Sequence, residues 1–394
     1  MMDFSMASNS PEKRKYNIIF VIDGLGMGGA ERLMVPILKN LNREFFEPRV
    51  CVLHIKNGNP IANDLRALGV PVDEVLIPYL RDVTALPRLY RYLKDVKADL
   101  VHTQLELSDI MGNIAAKFMR LPSVSTMHTM PSQDMKLKSR LHQSVELFAL
   151  RHFCNKVISV SEEARKFYLE ISNLLPENLL TIYNGIDLSH FDNLDHQKAR
   201  ADVRREFGLP ENAKILVTVA VLREFKGIQF MIRALPSVVS KDPDIYYLVV
   251  GDGAYRSSLE GEVELAKMRD RVIFAGQRSD IPQLLAASDV FVLPTLTEAL
   301  PTVLAEAMAA RLPIIASSVG GVPEMIAEKE NGLLLTAGDV DGLVSASVSL
   351  MADEGLRRAM GGRGEKIVNE KFNIHVQVDK LKDLYMGLIK NYGK

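Results

Sequence analysis

This 394-residue chain has no tryptophan and only two cysteines, Cys51 and Cys154. The absence of indole rings argues against a large aromatic platform for stacking sugars. Two thiols cannot build a disulfide framework, and both lie in apolar surroundings, so they read as buried thiols suited to a reducing cytoplasm. No run of about 18 uncharged apolar residues is present, which excludes an ordinary membrane-spanning helix. The N-terminal stretch MMDFSMASNSPEKRKY is polar, and its apolar part is too short for a secretory signal. Net charge is −1, so nothing in the balance points to nucleic acid as a partner. Also missing are G-x-x-x-x-G-K-[ST], H-E-x-x-H, G-x-S-x-G and any cysteine cluster. Their absence removes the P-loop, zinc-peptidase and nucleophile-elbow readings. The Asp339-x-Asp341 pair reads as a helix N-cap, not a metal grip.

What is present is ordinary in bulk: 47% apolar and 25% charged residues, and enough chain for two domains. Short Val/Ile/Leu-rich runs alternate with helical periods. Strands are expected over 17–23, 49–54, 99–102, 123–127, 156–160, 214–219, 245–250, 271–274, 290–293 and 313–316. Helices are expected over 30–41, 108–119, 226–240, 301–310 and 341–352. The strand runs do not alternate polar and apolar residues, as befits parallel sheets covered on both faces. The order strand, glycine-bearing loop, helix occurs at NIIFVIDGLGMGGAERL and restarts at KILVTVAVLREFKG. The fold class is therefore α/β, with two Rossmann-like βαβ domains facing a cleft. Residues 1–16 read as a flexible N-terminal tail, 17–186 as the first domain and 187–373 as the second, with the linker near 184–187. The helical run 374–394 is expected to cross back to the first domain.

The residues that carry chemistry sit in the loops. TEALPTVLAEAMAARLPIIASSVGGVPEMI, 297–326, separates Glu298 from Glu306 by seven residues. A helix is expected to open at Pro301, where a missing N–H is harmless. The free N–H groups of Leu300, Thr302 and Val303 then make an anion site beside the Glu298 carboxylate. Arg223 and Lys226 follow a strand's carboxyl end, where a phosphate would rest. Gly24-Leu-Gly26-Met-Gly28-Gly29 fits G-x-G-x-x-G in the right context. A dinucleotide enzyme would need an acid at the end of the second strand, and VCVLHIKNGN has none. Small residues at Gly28 and Gly29 then favour close approach of another ligand. His102 and His128 both end strand-like runs; His128 reads as functional, and His102 is open between a structural and a functional part. Gly251 and Gly253 allow a tight turn after YYLVV, and Glu324 is either an ordinary helix-start acid or a ligand group.

Taken in order, these pieces resemble the retaining family 4 glycosyltransferases of the GT-B fold, also called glycosyl transferases group 1. The Glu298-x7-Glu306 block is the most specific, supported by GMGGAERL, VISVSE, YNGID, Lys226-Gly227, VVGDG and AASDVFVLP. The resemblance covers the chain from about Asn17 onward. It implies that Glu298 holds hydroxyls of the donor sugar and Glu306 the nucleotide ribose. Lys226 and Arg223 would bind the donor diphosphate, helped by amides from Leu300 through Pro301, Thr302 and Val303. Gly28 and Gly29 would line the phosphate and acceptor side of the cleft, with Gly253 also among the residues around the donor, and His128 would touch the sugar near its reacting carbon. The implied donor is a nucleotide-sugar, most often UDP-linked, acting as substrate with no cofactor and no metal. The acceptor would be a glycan or a lipid-linked molecule. One departure is that the family arginine five residues before the lysine is Val221 here. The alternatives left open are a non-hydrolysing nucleotide-sugar epimerase, an NAD-dependent oxidoreductase and a non-catalytic binding protein. Lys136, Lys138 and Arg140 precede apolar turns, which allows peripheral contact with the inner face of the membrane beside the blander reading of a surface helix.

Overall fold

The computed structural model describes residues 14–78, 82–129 and 137–392. Residues 1–13 of the expected tail and Lys136 lie outside the described residues. The strands are β1 (Tyr16–Ile22), β2 (Phe46–Val52), β3 (Val72–Glu74), β4 (Leu100–Gln104), β5 (Ser123–Met127), β6 (Lys156–Ser159) and β7 (Leu179–Thr181), then β8 (Lys214–Val219), β9 (Ile245–Val250), β10 (Val272–Gly276), β11 (Val290–Leu293), β12 (Ile314–Ser317) and β13 (Gly332–Leu335). The α-helices are α1 (Gly29–Asn40), α2 (Ile61–Ala67), α3 (Ala85–Asp95), α4 (Glu106–Phe118), α5 (Leu137–Phe153), α6 (Glu162–Ser172), α7 (His196–Glu206), α8 (Ile228–Lys241), α9 (Arg256–Ala266), α10 (Ile281–Ala286), α11 (Thr302–Ala309), α12 (Val322–Met325), α13 (Val340–Ala352), α14 (Glu354–Lys371) and α15 (Ile374–Tyr392).

Two sheets result. The first has seven strands in the order β3-β2-β1-β4-β5-β6-β7, the second six in the order β10-β9-β8-β11-β12-β13. All registered pairs are parallel. The fold is thus α/β with two doubly wound sheets, as the sequence pattern implies. Each sheet reverses its winding once, between β1 and β4 and between β8 and β11. In such sheets the carboxyl ends of the strands flanking the reversal splay their loops apart and leave a crevice. The loops that follow β1, β8 and β11 are the ones carrying Gly28, Lys226 and Glu298.

Apolar runs explain the packing. Central strands such as β1 and β11 are buried along nearly their whole length, with helices on both faces. Helix α15 contributes Ile374, Val378, Leu381 and Tyr385 to the core of the first sheet. The chain passes between the halves twice, and the two passages lie side by side. Ile186 N–H donates to the Phe372 carbonyl at 2.9 Å, and Ile374 N–H to the Ile186 carbonyl at 2.9 Å. Gly185 is tight there: a Cβ would sit 2.6 Å from the Ile374 Cα.

One local boundary differs from the sequence reading. Pro301 is not the first helical residue but the N-cap, with ψ 106°. Leu304 N–H bonds the Pro301 carbonyl at 3.0 Å, so helix α11 begins at Thr302. The proline ring fixes φ but leaves ψ free, and the chain uses the extended choice to turn out of the Glu298 loop.

Candidate active site

Two loops of the second sheet are stitched together at the winding reversal. The Phe225 carbonyl accepts from Leu296 N–H at 2.7 Å and from the Thr295 hydroxyl at 3.0 Å. Gly227 has φ +70°, and a Cβ there would lie 1.8 Å from the Pro294 carbonyl oxygen. Only glycine allows so close a crossing. The consequence is that Lys226 reaches Glu298: Nζ to Oε1 is 2.5 Å, with both side chains largely buried. A charge-assisted bond in a partly dry site holds both groups at the mouth of α11.

Arg223 is exposed, with its guanidinium carbon 5.9 Å from the Phe225 ring centre, while Lys226 Nζ is 5.5 Å from the same ring. Val221 is also exposed, at 51%. The turn bearing Gly253 leans on this loop, and a Cβ at Gly253 would meet the Leu222 carbonyl at 2.4 Å. Leu300 and Pro301 are buried beside the Glu298 loop, and Thr302 and Val303 open α11. Glu306 lies one turn further in. Crowding by protein atoms pushes its carboxyl up to about 7, against a downward pull from Arg32 of the first half.

Gly28 is the N-cap of α1. A Cβ there would overlap the Glu31 carboxylate at 2.2 Å, whereas Gly29 is open, with nothing within 4 Å. Glu31 is buried and faces Lys56 at 3.5 Å. The loop after β2 folds over this turn: the Asn59 side chain accepts from Leu25 N–H at 2.9 Å and from Lys56 N–H at 3.0 Å. Lys56 and Asn59 therefore stand where a dinucleotide enzyme would keep its ribose acid.

The two histidines differ. His102 is buried, with Nδ1 2.5 Å from the Tyr385 hydroxyl and Nε2 2.7 Å from the Thr126 hydroxyl. It ties α15 to the first sheet, which is the structural part. His128 shares Nε2 with the Gln104 side chain, while its Nδ1 is buried without a partner. Burial pulls its pKa down to about 4, so at neutral pH the ring is uncharged. Gln104, whose Nε2 also reaches His102 at 3.1 Å, lies beyond the strand expected over 99–102 and was not legible in sequence.

Glu324 also has a function that the sequence does not show. Its carboxylate accepts from Glu162 N–H and Glu163 N–H, both at 2.8 Å. A side chain of the second half thus caps the N-terminus of α6 in the first. Beside it, a Cβ on Gly321 would lie 2.1 Å from the Ala299 carbonyl and 2.9 Å from the Ser161 Cβ. Glu324, Gly321 and Arg32 show where the halves meet across the cleft. The structure therefore gathers Arg223, Lys226, Gly253, Glu298, Leu300–Val303 and Glu306 on the second sheet's edge. Gly28, Gly29 and His128 stand at the edge of the first.

Two doubly wound domains meeting at the carboxyl ends of their strands define the GT-B class of enzyme. The chain belongs to the group 1, family 4 glycosyltransferases. The family model described as Glycosyl transferases group 1 matches residues 199–367, and that of Glycosyltransferase Family 4 matches residues 27–190. It is 30% identical over 376 residues to the UDP-Gal:alpha-D-GlcNAc-diphosphoundecaprenol alpha-1,3-galactosyltransferase of Escherichia coli, covering 93% of this chain and 95% of that one. It is 27% identical to the N-acetyl-alpha-D-glucosaminyl L-malate synthase of Bacillus anthracis, over 80% of this chain and 81% of that one. HepE of Anabaena, solved in complex with UDP, superposes with a TM-score of 0.84 at 22% identity, covering 94% of this chain and 100% of that one. The chain is thus a glycosyltransferase.

Proposed function

We propose that the chain is a retaining glycosyltransferase that moves a sugar from a UDP-linked donor to a hydroxyl of a glycan or lipid-linked acceptor. The observation that carries this is the Lys226–Glu298 pair at the start of α11, with Glu306 one turn beyond. Lys226, Arg223 and the amides around Thr302 and Val303 meet the diphosphate. Glu298 takes sugar hydroxyls and Glu306 those of the ribose. Neutral His128, with its unpaired Nδ1, offers a hydrogen bond to the sugar from the opposite wall.

In transfer, the bond from the anomeric carbon to the diphosphate oxygen breaks, and a bond to the acceptor oxygen forms on the same face. The acceptor proton passes to the departing phosphate oxygen. Negative charge builds on that phosphate as it leaves, where fixed cations and helix amides stabilise it without reorganising. Glu298 is engaged by Lys226, so no free carboxylate is assigned as a nucleophile. The charge on the diphosphate is met by these side chains in our reading, with no bound metal. UDP is favoured by analogy with the Escherichia coli relative, whose name specifies a UDP-linked galactose donor and a diphosphoundecaprenol-linked acceptor.

The test is a thermal-shift screen of UDP-, GDP- and ADP-sugars, with NAD as control. A ligand at a hundred times its Kd should stabilise the fold by about 2.7 kcal/mol. Product analysis with the best donor then reports anomeric configuration. Lack of a shift with every nucleotide-sugar, or an inverted product, would refute the proposal.

Donor binding should also depend on pH through Glu306. An ionised carboxylate accepts two hydroxyl hydrogen bonds better than a protonated one. Its carboxyl is held near 7, so nucleotide affinity rises as pH is raised from roughly 6 to 8, by at most about tenfold per unit below the pKa. The stability sign is opposite. The folded pKa exceeds the unfolded value of 4.5, so ligand-free stability from this group falls as pH rises from 4.5 through about 7. Comparing Glu306→Gln with the parent removes the titration of the phosphates themselves, and the parent's extra pH slope should be absent from the variant.

No described helix is long and apolar enough to cross a membrane. We place the protein at the cytoplasmic face as a peripheral enzyme, a position that suits a lipid-linked acceptor.

A further inference from the structure

We propose that the outer surface of α3 and the end of α4 is a docking face for an anionic lipid bilayer. Helix α3 buries Ala85, Leu89 and Leu93 against the first sheet. Its outward side carries Pro87, Tyr90, Arg91 and Lys94 at i, i+3, i+4 and i+7 spacing. Leu86, Pro87 and Tyr90 line a shallow groove of about 300 Å³ with Ala115 and Phe118 of α4. Phe118 is 72% exposed, and Val83, just ahead of α3, is 89% exposed. An isolated exposed apolar residue needs no account, but Pro87, Tyr90 and Phe118 exposed together along one groove do.

The charges decide what covers it. Arg91, Lys94, Lys97, Lys117 and Arg120 are all exposed, and none has a carboxylate within 4.0 Å among the described residues. Arg88, on the other flank of α3, is paired with Asp82 at 2.5 Å. Between Val83 and Lys97 the one acid is Asp95, and between Gly112 and Leu121 there is none. In a chain of net charge −1, five unpaired cations on α3, the end of α4 and the turns that follow them are a local excess. Long cationic stems lie along apolar surface while their heads reach anionic headgroups, and aromatic rings settle at that same depth. A protein partner would have to answer all five charges within a groove this small, whereas a lipid surface answers them as a continuum.

The inference rests on the lipid-linked acceptor reading for its purpose, but binding can be measured without any transfer. The experiment is flotation of the full chain with vesicles of phosphatidylglycerol and phosphatidylcholine in equal parts, and with phosphatidylcholine alone. The parent should float with the anionic vesicles at low salt and be released at high salt. Each neutralised cation should lower partitioning by about fivefold, so Arg91→Gln/Lys94→Gln/Lys117→Gln loses on the order of a hundredfold. Phe118→Ser should also weaken it. All variants are surface changes and should keep the parent's thermal shift with UDP, which separates a misfolded variant from a membrane-blind one. No flotation of the parent, flotation of the triple variant equal to the parent, or dimerisation that depends on Phe118 in place of vesicle uptake would each overturn the proposal. Loss of the UDP shift in the parent would refute the transferase reading and leave the vesicle result standing.

Discussion

Replacing Lys226 with alanine should lower kcat by about 10²–10³, the loss expected when one preorganised contact to developing charge is removed, about 2.7–4 kcal/mol of barrier. KM for the donor should move by less than tenfold. The asymmetry follows from where the amine sits. Its position is set by backbone: Gly227 in the left-handed region, the Pro294 carbonyl against it, and the Phe225 carbonyl held by two donors. In the ligand-free protein the ammonium is answered by Glu298 at 2.5 Å. A donor's diphosphate must share that cation, so part of the ground-state gain is offset by a weakened ion pair. Full charge develops only as the phosphate departs, and the amine is worth most there. The deletion also leaves a largely buried carboxylate without its cation, a costly arrangement that loosens its hold on sugar hydroxyls. The two effects share one pair, so Lys226→Ala and Glu298→Ala should be strongly non-additive in a double-mutant cycle. Steady-state kinetics with the best donor from the screen provide the check. A Lys226→Ala enzyme with the parent's kcat would contradict the role.

The central architecture was legible in sequence because its signal is local. Long apolar runs such as NIIFVI and IYYLVV have only one stable arrangement with helices on both sides. The edge strands β3, β7 and β13 were not read: they have three or four residues each, and VDE at β3 is half exposed and mostly polar. Such segments are strands only because a neighbour supplies the ladder. The glycine loop after β1 was readable as a ligand turn but not as a particular one. What distinguishes it in space is the loop at Lys56 and Asn59 folded over it, and that closure is a side-chain contact between separate segments. Glu324 shows the limit most clearly. Its capping of α6 joins residues 161 and 162 positions apart, and nothing local marks the acid as different from any other at a helix start. Glu298 and Lys226 sit 72 positions apart and were found only through the ordered motifs around each.

Gly320→Ala should be nearly as damaging as the lysine deletion, although no reacting group is touched. Gly320 has φ +50°, and an added Cβ would lie 1.7 Å from the Glu298 carbonyl oxygen and 2.9 Å from its carbonyl carbon. The neighbour is backbone, so no side-chain rotation relieves the overlap. A non-glycine residue held in the left-handed region costs of order 1–3 kcal/mol by itself. The chain must relieve the clash by moving either the turn after β12 or the segment holding Glu298. The turn is held from the far side, where Glu324 bonds α6 with two hydrogen bonds. Any part of the relief taken up by the Glu298 segment moves the carboxylate away from the position where Lys226 meets it. Misplacement by about 1 Å can cost about 10²-fold, which sets the expected fall in kcat/KM. Gly362→Ala is a fitting control, because nothing lies within 4 Å of its Cβ position in α14. That variant should gain up to about 1 kcal/mol of stability from helix propensity and keep the parent's turnover. The measurement pairs kcat/KM with circular dichroism and UDP affinity. A Gly320→Ala enzyme that is folded, binds UDP and turns over normally would show that the Glu298 loop does not depend on this contact, and the site's rigidity would have to be sought elsewhere.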